Sequence, residues 1–223
     1  MLEVREGYRL WAPSYAEETV ASKLDDLLVA DLTPPMTGLR LLDAGCGTGR
    51  RLHNCAAASA TGVDLSPEML DAGLGCDFDD GTVRMLVGDV RDLPLRDRSF
   101  DLVWCRLVIG HLPAIGRVYA ELARVADKGA TIIVTDFHPD AVAAGHKRTF
   151  RNGDQVHELE HHVHTPRTHI ATARAAGLSL MTQRDAKIGP GVEYLFARAN
   201  RMALYQEAAG LPLVLGFAFR KDN

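Results

Sequence analysis

Residues 41–52 read LLDAGCGTGRRL, which predicts a buried strand, a loop with glycine at every second position, and then a helix over 48–57. Glycine has no Cβ and tolerates positive φ, so the backbone of such a loop can lie very close to a ligand. A second predicted strand, over 60–63, ends at Asp64. A carboxylate at this position can accept hydrogen bonds from the hydroxyls of a ribose. The pattern therefore predicts a nucleoside-containing ligand across the carboxyl ends of parallel strands.

The spacing of the glycines separates two kinds of nucleoside site. They occupy positions 45, 47 and 49, whereas a dinucleotide fingerprint, G-x-G-x-x-G, would require the third glycine where Arg50 stands. An NAD-dependent oxidoreductase is therefore disfavoured. The run DAGCGTG, residues 43–49, instead resembles the first motif of the class I S-adenosylmethionine-dependent methyltransferases.

Later segments resemble further motifs of the same family, in the same order. Residues 63–70, VDLSPEML, resemble its second motif, and residues 87–94, VGDVRDLP, resemble its third. The resemblance implies that Asp64 binds the ribose and that Met69 packs near the adenine. It also implies that Asp89 accepts a hydrogen bond from the adenine amino group.

The resemblance covers residues 36–140 and implies S-adenosyl-L-methionine as the cofactor. Arg106 stands where related enzymes place a polar side chain near the aminoacyl part of this cofactor, although a surface arginine fits the sequence equally well. His111 matches a family histidine that helps to orient a loop, so we expect a structural role for it. The implied cofactor-binding residues are Tyr15, Asp43, Ala44, Gly45, Cys46, Gly47, Asp64, Leu65, Met69, Gly88, Asp89, Val90, Cys105 and Arg106.

Strand and helix patterns alternate along the chain, which predicts a doubly wound α/β sheet. The predicted strands cover 39–43, 60–63, 83–87, 100–104, 130–136, 178–184 and 213–219, and the predicted helices cover 17–30, 48–57, 67–74, 115–126, 166–176 and 193–208. The resemblance implies a seven-stranded, mostly parallel sheet of the Rossmann-like methyltransferase fold. Its last strand, 213–219, is expected to be antiparallel and to lie between the fifth and sixth strands.

The chain shows neither an internal repeat nor a low-complexity linker, so residues 1–223 are predicted to form a single methyltransferase domain. Residues 1–35 contain an aromatic stretch and a helical pattern, and the resemblance implies that they form a helical lid over the site. Residues 137–165 interrupt the alternation after the fifth strand, where ligands bind in such sheets. We expect this insertion to shape the substrate pocket.

Composition and charge limit the classes of partner. The chain has a formal net charge of −4 and a pI near 6.1, so no nucleic-acid partner is expected. Arg148, Arg151, Arg167 and Arg174 are close in sequence and are expected to form a solvated face. No apolar run approaches the ~18 residues of a membrane span, and the N-terminus lacks the pattern of a signal peptide. The four cysteines match no metal or redox spacing, which favours reduced thiols in the cytoplasm.

Histidines are concentrated in one part of the chain, where six of the nine lie between 138 and 164. The run 157–164, HELEHHVH, allows a metal site, a polar pocket with one histidine as general base, or an alternating strand or loop of solvated histidines. In an edge strand, Leu159 and Val163 would pack inward. His138 follows the fifth strand at its carboxyl end, so we predict His138 and His162 as the catalytic residues and no metal site.

The predicted function is transfer of a methyl group from S-adenosylmethionine to a small-molecule acceptor, at an O, N or C atom. Methylation of tRNA or protein is one alternative, and a non-catalytic module that binds the cofactor is another. Leu195, Phe196, Leu204 and Tyr205 fit either the core or a homodimer interface.

Overall fold

A seven-stranded sheet lies at the centre of the fold in the computed structural model, which describes residues 2–15, 17–53, 55–73 and 82–222. The strands are β1 (Arg40–Ala44), β2 (Ser59–Asp64), β3 (Val83–Val87), β4 (Phe100–Arg106), β5 (Ala126–Phe137), β6 (Thr149–Asn152), β7 (Gln155–Glu158), β8 (Leu178–Lys187) and β9 (Pro212–Lys221). The helices are α1 (Val4–Trp11), α2 (Val20–Leu32), α3 (Pro67–Gly73), α4 (Gly116–Val125), α5 (Pro139–Ala143), α6 (Pro166–Ala175), α7 (Pro190–Arg198) and α8 (Met202–Ala208). Single turns of 3₁₀ helix cover Ala12–Ser14 and Ile109–His111.

The strand order is β3-β2-β1-β4-β5-β9-β8, and β6 pairs with β7 in a separate hairpin. Strands β1 to β5 pair in parallel, whereas β9 is antiparallel to both β5 and β8. The predicted fold class is therefore confirmed, including the antiparallel last strand between the fifth and sixth strands of the large sheet. The order reverses between β1 and β4, and the carboxyl ends of these two strands form the crevice in which such sheets bind ligands.

Helices cover both faces of the sheet, which explains the buried apolar run within the central strands, over residues 102–105 in β4 and 132–134 in β5. On one face, Tyr119 and Leu122 of α4 pack with strand residues in a common core. On the other face, Leu24 and Leu28 of α2 pack with Leu195 and Phe196 of α7. The residues considered for a dimer interface differ in burial. Leu195 and Phe196 are buried in this core, whereas Leu204 is exposed.

The helix predicted over 48–57 is wrong for the residues described there, 48–53 and 55–57, because none of them is helical and most of 48–53 form turns. Gly49 has a φ of +70°, which a right-handed helix does not accommodate. The amide of Leu52 donates to the Gly49 carbonyl and the amide of Cys55 donates to Leu52, so the chain advances by three-residue turns. The helix predicted over 193–208 is also divided, because Asn200 lies between α7 and α8 with a φ of +55°.

Residues 137–165 contain α5 and the β6–β7 hairpin. This segment contacts the N-terminal residues through a β-bridge between Leu2 and Leu159 and through the stacking of Trp11 on Phe150. Leu159 is buried as predicted, but Val163 is exposed, so the strand alternation does not continue beyond β7. Cys46, Cys55 and Cys105 are free thiols, and Cys76 lies outside the described residues. Over the part of the chain that the structure describes, no helix has both the length and the apolar content to span a bilayer.

Candidate functional site

A cavity of about 740 Å³, partly open to solvent, lies at the carboxyl ends of β1, β2 and β4. Eight of the fourteen predicted cofactor-binding residues line it, namely Tyr15, Gly45, Gly47, Asp64, Leu65, Asp89, Val90 and Arg106. Its wall also contains residues that the sequence did not assign to the site, among them Tyr8, Ser66, Arg91, Val108, His111 and Arg148.

The glycine turn after β1 forms the floor of the cavity and is held against β2. The amides of Gly45 and Cys46 both donate to the Val63 carbonyl, at 2.7 and 3.0 Å. Gly45 has a φ of +82°, and a Cβ on it would lie 2.2 Å from the side chain of Val108. The turn therefore requires glycine for its conformation and for its close approach to the loop after β4.

Asp64 ends β2 and closes the turn from the opposite side. Its carboxylate accepts from the amide of Gly47 at 2.7 Å and from the amide of Ser66 at 3.0 Å. Burial raises the pKa of this carboxyl, while the two amide donors oppose the shift. Because the carboxylate oxygens retain further lone pairs and line the cavity, they can still accept hydrogen bonds from a ligand.

Asp89 lies beyond β3 at the same end of the cavity, and its carboxylate is paired with Arg91. The Arg91 guanidinium donates to it through Nε at 2.9 Å and through Nη2 at 2.6 Å. These hydrogen bonds hold the pKa of the Asp89 carboxyl below its usual range. A ligand amino group that binds Asp89 would therefore share the carboxylate with Arg91.

Five of the predicted cofactor-binding residues lie behind the cavity wall and do not line the cavity: Ala44, Cys46, Met69, Gly88 and Cys105. Cys105 is fully buried in the sheet core. The terminal methyl of Met69 would lie 3.2 Å from a Cβ on Gly47, so Met69 supports the turn from below. A Cβ on Gly88 would meet Pro94 at 2.7 Å. The motif residues thus include a supporting layer that does not line the cavity.

Asp43 is also absent from the cavity wall, and its Oδ1 is buried without a hydrogen-bond partner among the described residues. Burial raises the pKa of this carboxyl to about 6, although the guanidinium charges of Arg106 and Arg51 act in the opposite direction. A buried acceptor without a partner is unfavourable, so Asp43 has the capacity to accept a hydrogen bond from a cationic or amino group.

The free energy of unfolding of the Asp43→Asn variant, relative to that of the wild type, is expected to increase as the pH rises from about 4 to about 6. In this window the folded wild type binds more protons than the unfolded chain, because the folded pKa is about 6. The free energy of unfolding of the wild type therefore falls by at most about 3 kcal/mol as the pH rises from about 4 to about 6. Asparagine does not titrate, so position 43 adds no such pH dependence in the variant. Urea unfolding of both proteins at about pH 4.5 and pH 8 measures this difference. If the difference in the free energy of unfolding between the two proteins is the same at both pH values, the buried, unpaired position of Asp43 is contradicted.

Arg106 reaches the cavity wall, but its guanidinium is already paired with two carboxylates of α2. Nε and Nη2 donate to Asp25 at 3.0 and 2.8 Å, and Nη2 also donates to Asp26 at 2.5 Å. The other oxygen of Asp25 accepts from the hydroxyl of Thr135 at 2.6 Å. Arg106 thus ties α2 to the ends of β4 and β5, a role that the sequence did not indicate.

Tyr8 of α1 and His111 meet at the wall of the cavity. The Glu160 carbonyl can only accept, so the His111 Nδ1, 3.3 Å away, is the donor to it. His111 Nε2 is then the acceptor for the Tyr8 hydroxyl at 2.9 Å. Burial lowers the pKa of His111 well below its usual value, with a further contribution from the charge of Arg148. His111 is therefore a neutral imidazole with its lone pair directed toward Tyr8.

The structure does not bring His138 or His162 to this cavity. His138 caps α5, where its Nδ1 accepts from the amide of Asp140 at 3.1 Å. His162 Nε2 lies 3.4 Å from the Glu160 carboxylate. The other histidines of the cluster have separate environments, since His157 stacks on Phe150 and His164 contacts the Leu112 carbonyl. In the ranges that the structure describes, no three His, Cys, Asp or Glu side chains converge to hold a metal ion.

Arg148 differs from the expectation of a solvated basic face, because only 8% of its surface is exposed. Arg151, Arg167 and Arg174 are exposed as predicted. Arg148 is buried, unlike these three arginines, because it follows α5 and contacts Leu107 after β4 and Phe137 at the end of β5. This position follows from the tertiary fold and is not marked in the local sequence.

Comparison with known proteins agrees with this geometry. Residues 42–134 match the family model of a methyltransferase domain. The chain is 34% identical over 127 residues to the 27-O-demethylrifamycin SV methyltransferase of Amycolatopsis mediterranei, covering 54% of this chain and 46% of that protein. It is 37% identical over 103 residues to the malonyl-[acyl-carrier protein] O-methyltransferase of Pectobacterium atrosepticum, covering 45% and 40%. The chain thus spans about half the length of these curated relatives or less.

Solved structures share the fold at low identity. A putative S-adenosylmethionine-dependent methyltransferase from Listeria monocytogenes has a TM-score of 0.73 at 17% identity, covering 90% of this chain and 97% of that one. The [4+2]-cyclase SpnF has a TM-score of 0.70 at 21% identity, covering 98% and 95%. The motifs, the sheet order and the match over 42–134 lead to one assignment. The chain carries a class I S-adenosylmethionine-dependent methyltransferase domain.

Proposed function

We propose that the protein transfers the methyl group of S-adenosylmethionine to a small-molecule acceptor. The observation that carries this proposal is the cavity in which the glycine turn, Asp64 and Asp89 lie at one end and the Tyr8–His111 pair lies in the wall. The named relatives support it, because they include O-methyltransferases of small molecules and of an acyl-carrier protein. The acidic overall charge favours a small acceptor over tRNA.

The residues present fit this cofactor. Asp64 offers carboxylate oxygens to the ribose hydroxyls, and Asp89 lies at the same end for the adenine. Asp43 lies behind the cavity wall with an unpartnered buried oxygen, and its contact with the aminoacyl part of the cofactor stays a prediction. Arg106 is less suited to bind the carboxylate of the cofactor, because Asp25 and Asp26 already engage its guanidinium. When bound, the cofactor supplies a strongly electrophilic methyl group.

The protein's own part in the reaction is to hold the acceptor, exclude water and receive a proton. Positioning alone can supply about 7–11 kcal/mol of the barrier. Tyr8 and Tyr15 line one side of the cavity and reduce its exposure to water. The His111 Nε2 lone pair receives the acceptor proton, directly or through the Tyr8 hydroxyl. We place the base here rather than at His138 or His162, because those two side chains do not line the cavity.

We further propose that the chain acts as one domain, with residues 1–35 as a lid and residues 137–165 as part of the acceptor pocket. The lid is supported by Tyr8 and Tyr15, which lie over the cavity. The pocket is supported by Arg148, which lies in the wall. The free thiols of Cys46, Cys55 and Cys105 support a cytoplasmic location, since cytosolic proteins rarely form disulfides. A homodimer stays a prediction, with Leu204 as an exposed candidate contact.

The Asp64→Ala variant tests the proposed site. It is expected to bind S-adenosylhomocysteine about 10- to 100-fold more weakly, since hydrogen bonds to a charged group contribute about 1.5–3 kcal/mol. Isothermal titration calorimetry measures this, with Asp71→Ala on the exposed side of α3 as the matched control. Because Asp64 also holds the amides of Gly47 and Ser66, thermal unfolding should accompany the titration. Wild-type affinity in a folded Asp64→Ala protein would refute the site assignment.

Transfer itself is measured with S-adenosylmethionine labelled with tritium in the methyl group. A panel of low-molecular-weight phenols and carboxylic acids represents the proposed acceptors, while bulk tRNA and a protein extract represent the alternatives. Label in the small molecules supports the proposal, and label in tRNA or protein would replace it with the corresponding alternative. Tight binding of the cofactor with no transfer to any of them would favour a non-catalytic binding module.

A further inference from the structure

Arg148 is a buried guanidinium without a carboxylate partner among the described residues. Its Nη2 donates to the Leu107 carbonyl at 2.6 Å, and its Cζ lies 5.1 Å from the centre of the Phe137 ring. Nη1 is buried and has no hydrogen-bond partner in the part of the chain that is described. A buried charge without a counter-charge costs several kcal/mol, so a guanidinium in this state is suited to bind an anion.

A second cavity adjoins the first at this residue. It has about 1,120 Å³ of empty space and shares Tyr8, Tyr15, Arg106, Leu107 and Arg148 with the first cavity. Aromatic rings form much of its wall, since Trp11 and Phe137 also line it. The two cavities together therefore offer a place for a second small molecule beside the proposed cofactor site.

Most cations in the wall of the second cavity already have a carboxylate partner. Arg50, Arg51 and Arg106 form ion pairs with Asp25 or Asp26, and Lys147 pairs with Glu158 at 2.8 Å. Of the lining residues that the structure describes, Arg148 and Arg201 are the cations that form no ion pair, and Arg201 is exposed. Arg148 is thus the buried cation of this wall that has no carboxylate partner among the described residues, so its guanidinium can pair with the carboxylate of a ligand.

Arg148 and the residues that would hold the nucleoside lie against different strands of the sheet. Asp64 ends β2, whereas Arg148 contacts Leu107 after β4 and Phe137 at the end of β5. In the order β2-β1-β4-β5, these contacts are two and three strands away from β2. At about 4.8 Å per strand, that is roughly 10–15 Å. Arg148 is therefore placed beyond the nucleoside end, on the side that is free for the acceptor.

We propose that Arg148 is the anion-binding residue of the acceptor site, and that the acceptor is a small organic acid whose carboxylate pairs with this guanidinium. The proposal rests on the function proposed above and adds the class of acceptor. A carboxylate forms two parallel hydrogen bonds with a guanidinium, which orients a planar acceptor as well as binding it. The apolar body of the acceptor then packs against the aromatic wall formed by Trp11 and Phe137.

The surroundings of His111 support this assignment. Its pKa is lowered first by burial and then by the positive charge of Arg148. A bound carboxylate offsets that charge. His111 is consequently a stronger base when the carboxylate is bound than when the site holds no anion. Its basicity is therefore higher when the acceptor is in place and a proton has to be removed from it.

The test uses 4-hydroxybenzoate and 4-hydroxybenzamide as probes, which differ in charge and have the same ring. Calorimetric titration in the presence of S-adenosylhomocysteine compares the wild type with Arg148→Gln. The wild type is expected to prefer the carboxylate, and Arg148→Gln is expected to bind it about 10- to 100-fold more weakly while its affinity for the amide is unchanged. Arg174→Gln makes the same change of charge on the exposed surface of α6 and should retain the preference.

Two results would overturn the proposal. One is a wild type that binds the two probes equally or binds neither. The other is an Arg148→Gln variant that keeps the preference but loses affinity for S-adenosylhomocysteine, which would assign Arg148 to the cofactor's carboxylate. Arg148→Lys provides a second variant in case glutamine impairs folding, and it should keep the preference for the carboxylate. Failure of the proposed function is distinguishable, because it would appear as a wild type that does not bind S-adenosylhomocysteine, or that binds the cofactor and transfers no methyl group in the tritium assay.

Discussion

Replacing Asp25 with alanine is expected to lower the free energy of unfolding by about 3–5 kcal/mol, the usual effect of removing one partner of a buried ion pair. Asp25 is fully buried and accepts from Arg106 and from the hydroxyl of Thr135. Without it, the buried guanidinium of Arg106 would keep only the half-buried Asp26 as a counter-charge. The end of β4 and helix α2 would therefore both lose an attachment.

Urea unfolding measures this effect, and Asp31→Ala is the matched control because Asp31 lies on the same helix and is exposed. The control should change the free energy of unfolding by less than about 0.5 kcal/mol. A double variant, Asp25→Leu with Arg106→Met, should recover much of the lost stability, since apolar residues can replace a buried ion pair at little cost. A loss below about 1 kcal/mol for Asp25→Ala would contradict the buried pairing of Arg106.

Replacing His111 with alanine is expected to lower turnover by about 10²- to 10⁴-fold, which is the usual contribution of a general base. His111 is held by the Glu160 carbonyl and is neutral, so its Nε2 lone pair is directed at Tyr8 and the cavity. The change should leave the affinity for S-adenosylhomocysteine near that of the wild type, since Asp64 and the glycine turn are untouched. Single-turnover transfer of the tritiated methyl group to an accepted small molecule measures the rate.

Three variants distinguish a base at His111 from a base at Tyr8, His138 or His162. Tyr8→Phe removes the hydroxyl but leaves the imidazole, so it should slow transfer less than His111→Ala does. His138→Ala and His162→Ala alter histidines that do not line the cavity, and transfer should continue at close to the wild-type rate. If His162→Ala or His138→Ala abolishes transfer while His111→Ala does not, the assignment of the base is wrong.

The parallel core of the fold could be predicted from the sequence because its signals are local. Strands that are covered on both faces carry continuous apolar runs, as over residues 102–105 in β4 and 132–134 in β5, and such runs are visible without tertiary information. The region after Gly49 could not be predicted in the same way. Its glycine turn resembles the start of a helix in sequence, but the positive φ of Gly49 directs the chain into successive turns.

The residues at the cofactor end of the site could likewise be predicted from the sequence, because Gly45, Gly47 and Asp64 lie in short motifs at the ends of adjacent strands. The residues at the acceptor end could not be predicted in this way. Tyr8 and His111 are 103 residues apart and meet through the tertiary fold alone. Arg148 resembles the exposed Arg151 in the sequence and differs from it in burial. Contacts between distant segments leave no periodic pattern, so residues of this kind are found by structure.

The position of β9 has a consequence for how the protein folds as it is synthesised. Strand β8 pairs in the large sheet with β9, and β9 fills the space between β8 and β5. During translation β8 leaves the ribosome before β9 does, so for that time it has no neighbouring strand and β5 remains an open edge. An unpaired edge favours aggregation. A chain that lacks β9 and ends within residues 188–211 should therefore be more sensitive to protease and aggregate more readily than the chain that contains β9.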